Sequence, residues 1–240
     1  MEQVLQNGLK PATTIEKPPG YDLEIEQPEN GYRYNRDPFL LTRFIKEHRD
    51  QWRVHLSGKY LDLGTGVGIL PLLLARSFSK PSFTGIEIQK DLAALATSNV
   101  KRNELSTRIE IITSDYRDLS KQPDFADRFQ VVICNPPYYP VNGGRLNHCP
   151  QKCLARHEIA GDLESLTRAA TFFLTNTGLF ILIFPAERLV ELIAHLKTVK
   201  LEPKNLQFIH PKHSDRAGML LLAARKNGAP GIVIENPLTI

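Results

Sequence analysis

At 240 residues, 42% hydrophobic and 23% charged, the chain has the composition of a globular protein with room for one sizeable α/β core. No apolar run is long enough to span a bilayer, and the first thirty residues, with Glu2, Glu16 and Lys17 among them, hold no signal-peptide core, so a cytoplasmic location is expected. The net charge of +4 is uneven: residues 1–40 hold 4 Lys and Arg against 7 Asp and Glu, residues 141–226 hold 12 against 7, and a basic second half fits a polyanionic partner.

Residues 1–20 mix Gln, Asn, Thr and Lys with three prolines and close on Pro18-Pro19-Gly20, which predicts a flexible lead-in ahead of a single domain over 21–240. Tyr21, Leu23 and Ile25 alternate with Asp22, Glu24 and Glu26 as in a half-buried strand. Asn30-Gly31 signals a hairpin turn, with Tyr32 and Tyr34 opening the return strand. Asp37-Pro38 then reads as a helix start, Asp37 as its cap, leading into an amphipathic run from Phe39 to Ile45.

Tyr60–Leu63 is a short strand that ends in Gly64-Thr65-Gly66-Val67-Gly68 and passes into a helical run over Ile69–Ser77. Closely spaced glycines at a helix start let a ligand approach the backbone and meet unpaired amide donors. The spacing is neither the dinucleotide fingerprint nor a phosphate-binding P-loop, which argues against NAD and ATP. A second strand, Ser82–Ile86, ends in Glu87, nineteen positions after Gly68, where a carboxylate is placed to accept from both hydroxyls of a ribose. A helix from Asp91 to Asn103 and a strand over Ile109–Thr113 follow; Asp115 at that strand end suits an adenine amino group, and Tyr116 offers a flat apolar wall.

The fourth strand, Val131-Val132-Ile133-Cys134, is mostly β-branched and runs straight into Asn135-Pro136-Pro137-Tyr138. Two prolines restrict their own φ and push each preceding residue into an extended shape, so the carboxamide of Asn135 projects from the strand's carboxyl end, where open α/β sheets bind ligands. Residues 139–155, with Gly143-Gly144, form a long loop of the kind used for lids and binding. Cys134, Cys149 and Cys153 are too few for a disulfide framework. The cluster His148, Cys149, Cys153 and His157 lacks a second ligand pair of standard spacing, with Pro150 against a regular helix, so no metal is expected. A helix over Asp162–Leu174, a strand over Leu179–Phe184 and a helix over Ala186–Leu196 continue the alternation. A closing strand pair, Leu206–Ile209 and Gly218–Ala224, and a short extended segment Gly231–Ile234 complete it.

Together Asp62 to Gly68, Glu87, Asp115 and Asn135-Pro136-Pro137-Tyr138 resemble the Rossmann-like S-adenosylmethionine-dependent methyltransferases that methylate amino groups. Gly31 to Leu41, Tyr139 and Ala155-Arg156-His157-Glu158 are similar to the bacterial tRNA adenine-N6 methyltransferases acting at position 37 of a valine tRNA. The resemblance implies a doubly wound, mostly parallel seven-stranded sheet with a closing antiparallel strand, preceded by the hairpin and helix. It implies that Asp62, Gly64, Thr65, Gly66 and Gly68 hold the methionine part of S-adenosylmethionine, Glu87 with Ile88 its ribose, Asp115 with Tyr116 its adenine, and that Asp37 and Asn135 border the donor. Asn135 and the Pro136 carbonyl would accept the two N–H bonds of a target amine, Pro137 would brace them, and Tyr138 would stack on the base. Tyr139, Arg145, Lys152, Arg156, Lys212 and Arg216 are the expected contacts to an RNA, probed by splaying out one base. Release-factor glutamine-N5 methyltransferases and ribosomal-RNA guanine-N2 methyltransferases share the tetrapeptide, and a catalytically silent RNA-binding module is the alternative from outside enzymology.

Overall fold

Alternation of side chains along each strand decides the architecture, because nearly every central strand has two apolar faces to bury. In the computed structural model, which describes residues 12–52, 58–136 and 163–240, strands β3 (Lys59–Leu63), β4 (Ser82–Glu87), β5 (Ile109–Thr113), β6 (Phe129–Cys134) and β7 (Leu174–Pro185) pair in parallel in the spatial order β5-β4-β3-β6-β7. Tyr60, Phe83, Val131, Ile133, Ile181 and Ile183 face one layer, formed by helices α1 (Asp37–His48), α2 (Ile69–Ser77) and α3 (Lys90–Arg102). Leu61, Leu63, Ile86, Val132, Phe180 and Leu182 face the other, formed by α4 (Tyr116–Leu119), α5 (Leu163–Phe173) and α6 (Leu189–Thr198). Fully burying one such side chain contributes roughly 1.5–3 kcal/mol, so both layers are required to hold the sheet.

The sheet is completed by β8 (Leu201–His210) and β9 (Met219–Lys226), β9 lying antiparallel between β7 and β8. Those seven strands are the expected sheet. The structure adds two short strands, β10 (Val233–Ile234) and β11 (Leu238–Thr239), both parallel to β8, giving nine among the described residues. β8 begins at Leu201, five residues before the expected Leu206; Pro203, which supplies no ladder donor, is accommodated by a register shift between Pro203 and Asn205.

An amino-terminal antiparallel pair precedes α1 as expected, but the strands that form it differ from the expected ones. Ile25–Pro28 is a strand, β2, but its partner is β1 (Thr13–Glu16), upstream within the expected flexible lead-in, and the Tyr32–Tyr34 stretch is not strand. Arg33 explains the exchange: its guanidinium bonds Thr14 Oγ1, the Pro28 carbonyl and Glu16, so the segment after the turn is tied down by a side chain instead of a ladder. The small sheet is docked by α3. Asn99 accepts the Glu26 amide at 2.7 Å and donates to the Glu26 and Val67 carbonyls at 2.8 and 2.9 Å, and Asn103 repeats the pattern one turn later on Glu24. A helix surface thus serves as the strand's second partner and links it to the glycine loop.

Candidate active site

Parallel pairing sets the carboxyl ends of four strands at one level. Leu63 is in register with Ile86 on one side and Cys134 on the other, and Glu87 with Thr113, so the residues that follow these strands line one edge in the order Ser114-Asp115, Glu87-Ile88, Gly64-Gly68, Asn135. The edge brings together residues more than seventy positions apart in sequence.

The loop after β3 is shaped by its glycines. Gly64, Gly66 and Gly68 have φ of 75, 58 and 82°, the left-handed region that costs other residues about 1–2 kcal/mol each. The amides of Gly64 and Thr65 both donate to the Ile86 carbonyl at 2.9 Å, and Gly66 donates to Glu87 Oε2 at 2.8 Å. Glu87 Oε1 accepts from Gln89 N at 2.9 Å. The carboxylate is therefore fixed by backbone on both oxygens; burial pushes it up from its ordinary range, while the amides of Gln89, Gly66 and Ile88 oppose that.

Asp62 and Asp37 reach the same place from different layers. Asp62 alternates with Leu61 and Leu63, so it points to the α1–α3 side; burial pushes its carboxyl up to about 7, against the Thr65 hydroxyl and with help from Glu87. Asp37 is buried at the first turn of α1 but caps nothing with its side chain. It pairs instead with Asn35, whose amide donates to Oδ2 at 2.7 Å and whose Oδ1 accepts the Asp37 amide at 2.9 Å, and the preceding cap residue, Arg36, makes no side-chain cap bond. The helix-cap expectation for Asp37 is thereby corrected. Tyr32, which opens the Tyr32–Asp37 segment that the family resemblance places over the methionine end of the donor, packs its ring on Gly66: a Cβ there would stand 2.7 Å from Cε1. Burial raises the Tyr32 hydroxyl, and the negative charges of Glu87, Asp62 and Asp37 add to that. Its packing on the loop was obscured because its alternation with Tyr34 suggests a strand.

A cleft beside this loop is lined by Gly64, Ile86, Glu87, Ile88, Ser114, Asp115, Tyr116 and Arg117. Asp115 caps α4, its Oδ1 accepting the Arg117 amide at 2.8 Å, and the Arg117 side chain closes on both carboxylate oxygens through Nε at 2.9 and 2.8 Å and Nη2 at 2.5 Å. Burial acts to raise this carboxyl, but its bonds to Arg117 prevail and hold it below the ordinary range. Tyr116 is buried against the second layer.

Asn135 is half-buried and Pro136 buried at the end of β6, beside the glycine loop. Pro137, Tyr138, Tyr139, Arg145, Lys152 and Arg156 lie outside the described residues, as do Cys149, Cys153 and His157. Lys212 and Arg216 are exposed on the turn between β8 and β9. Since β9 is antiparallel to both β7 and β8, that turn lies at the same sheet edge as Asn135, on the side away from Glu87. Among the described residues no cluster of His, Cys, Asp and Glu is arranged to hold a metal ion, and no helix is long and apolar enough to cross a membrane.

Strand order, glycine loop and strand-end carboxylates define the class of fold: a Rossmann-like α/β sheet with its candidate site at the carboxyl edge. Residues 39–147 match the family model of the methyltransferase small domain. Over 149 residues the chain is 34% identical to a tRNA1(Val) (adenine(37)-N6)-methyltransferase of Porphyromonas gingivalis, an alignment covering 61% of this chain and 57% of that one, so the chain spans little over half the relative's length. Among solved structures, a predicted O-methyltransferase of Agrobacterium tumefaciens superposes with a TM-score of 0.65 at 22% identity over 85% of this chain and 86% of that one. A 16S rRNA N2 methyltransferase of T. thermophilus, in complex with AdoMet and guanosine, superposes with a TM-score of 0.59 at 19% identity over 90% and 50%.

Proposed function

We propose that the chain is an S-adenosylmethionine-dependent N-methyltransferase that modifies the exocyclic N6 of an adenine in RNA, the substrate being a tRNA with adenosine at position 37. The observation that carries this reading is the register that sets Asn135 level with the Gly64–Gly68 loop and Glu87, so that an amine held at Asn135 adjoins a donor held at the loop.

The residues present fit the donor. Three left-handed glycines turn the loop tightly at the sheet edge, with Tyr32 and Ala96 packed against Gly66 and Gly68, and Glu87, already fixed by two amides, keeps lone pairs for ribose hydroxyls. Asp62 and Asp37 supply negative charge toward a cationic methionine end, and Asp115 and Tyr116 border the cleft to which the adenine is assigned. Bound there, S-adenosylmethionine supplies an electrophilic methyl group on a sulfonium.

The chain's own task is to prepare the nucleophile. The lone pair of an exocyclic amine is delocalised into its ring, which makes it a poor nucleophile. The Asn135 side-chain oxygen and the Pro136 carbonyl accept its two N–H bonds and turn the lone pair out of the ring plane. Asparagine accepts without adding a full negative charge, and the prolines hold the acceptors still, so the contribution is orientation and electrostatic preorganisation. No strong base is needed before transfer, because the amine proton becomes acidic on methylation. Tyr138 stacks on the base, and Tyr139, Arg145, Lys152, Arg156, Lys212 and Arg216 contact the RNA around it. A cytoplasmic location, alongside its RNA, goes with this reading.

The test is methyl transfer from labelled S-adenosylmethionine to total tRNA, ribosomal RNA and release factor side by side, followed by nucleoside analysis. N6-methyladenosine in tRNA is expected; label appearing only as N2-methylguanosine or methylglutamine overturns the assignment.

A further inference from the structure

Arg117 belongs to no motif in the sequence, yet its side chain lines the cleft beside Glu87 and grips Asp115 through a fork of bonds. The backbone amide of Arg117 takes a further lone pair of Oδ1, so the carboxylate is held on both oxygens in a single orientation. A carboxylate offers about four lone-pair positions, and the fork with the amide leaves about one for a ligand. Arg117 remains 38% exposed in its side chain, so it pairs with Asp115 at the cleft wall and not in the core. A core ion pair has a structural purpose of its own; one at the rim of a ligand cleft orients the acceptor the ligand meets.

We propose that Arg117 is a positioning residue for nucleobase recognition: it presents Asp115 as a fixed, ionised acceptor, which selects a 6-amino purine over a 6-oxo purine in the donor. This deepens the reading of the cleft as a donor site and rests on it. An ionised carboxylate accepts from an amino group and repels a carbonyl oxygen; a protonated carboxyl does the reverse, donating to the carbonyl. By pairing with Asp115, Arg117 opposes the protonation that burial favours, the Lys121 ammonium adding a smaller effect of the same sign, so discrimination persists into mildly acidic solution.

The experiment is calorimetric binding of S-adenosylhomocysteine and of its deaminated analogue, S-inosylhomocysteine, by the full chain between pH 5 and 8. The unmodified protein is expected to prefer the amino compound throughout. Arg117→Met should weaken S-adenosylhomocysteine by about tenfold, the loss growing as pH falls, while the preference for amino over oxo shrinks. Arg117→Lys, which keeps the charge and loses the fork, should lie between. Unchanged affinity and discrimination in Arg117→Met at every pH overturn the proposal, and so does tighter binding, which would make Arg117 an obstacle to the base. A circular dichroism melt of each variant separates these outcomes from misfolding, and a misfolded Arg117→Met leaves Arg117→Lys to decide by the same criterion. If the unmodified protein binds neither compound, the donor reading fails and this proposal with it; if it binds both equally, the donor reading stands and the role of Arg117 is refuted.

Discussion

The carboxylate of Glu87 accepts the backbone amide of Gly66 at 2.8 Å, which ties the end of β4 to the glycine loop after β3. Glu87→Ala removes two bonds to backbone amides, those of Gly66 and Gln89, together with the proposed ribose acceptor. With each bond to a charged group contributing about 1.5–3 kcal/mol, donor affinity should fall about a hundredfold. Glu87→Gln, which keeps one acceptor oxygen, should lose less. Titration calorimetry with S-adenosylhomocysteine reads both; equal affinities in all three proteins would remove Glu87 from the site.

Asp62 makes stability and binding depend on pH in opposite directions. Its carboxyl is raised from an ordinary 3.8 to about 7, so between those values the folded chain holds more protons than the unfolded one. Ligand-free stability contributed by this group is therefore full below about 4 and lost as pH rises through about 7. Asp62→Asn should stabilise the ligand-free protein at pH 8 by roughly 2–4 kcal/mol, with little effect at pH 4. The same substitution should weaken S-adenosylmethionine binding at pH 8, where the ionised carboxylate is proposed to face its cationic end. Urea unfolding at the two pH values, with and without donor, provides the check.

Asn135→Ala separates chemistry from donor binding. Loss of a preorganised acceptor at the reacting amine should lower kcat by about a hundredfold to a thousandfold. The donor's main contacts are assigned to β3, β4 and β5, so its Kd should stay within about threefold. Single-turnover methyl transfer to tRNA at saturating donor measures the first, calorimetry the second, and a variant with undiminished turnover would refute the proposed mechanism.

Gly66 is constrained twice. Its φ of 58° costs an alanine about 1–2 kcal/mol, and the added methyl would stand 2.7 Å from the Tyr32 ring. Gly66→Ala should therefore both destabilise the chain and displace Tyr32. Adding Tyr32→Ala should recover the part due to the clash and leave the backbone part, a coupling visible in a double-mutant cycle of unfolding free energies. Strict additivity would show that Tyr32 does not rest on the loop.

The helix over Ile69–Ser77 and the strand over Ile109–Thr113 are the elements the pattern of residues predicts, because apolar periodicity and flanking glycines or polar residues are local signals. Where the expectation failed, a distant partner decided. Thr13–Glu16 is a strand because Ile25–Pro28 lies beside it and Arg33 closes the end, and nothing in Thr-Thr-Ile-Glu announces either contact. Asp37 reads as a helix cap from its position before Pro38, but Asn35 two residues earlier takes its carboxylate. The late strands Val233–Ile234 and Leu238–Thr239 are too short to show a period and exist through β8 alone.

The amino-acid sequence by itself determined the doubly wound class, the glycine loop and the identity of the strand-end residues Asp62, Glu87, Asp115 and Asn135, since these depend on periodicity and on chemistry that few residue types supply. Only the tertiary structure decided how they are held: that Glu87 locks Gly66, that Tyr32 packs over the loop, and that Arg117 claims Asp115. The physical reason is that a hydrogen bond or ion pair depends on ångström-scale distance and direction. Strand register and helix packing fix those in space, whatever the separation along the chain.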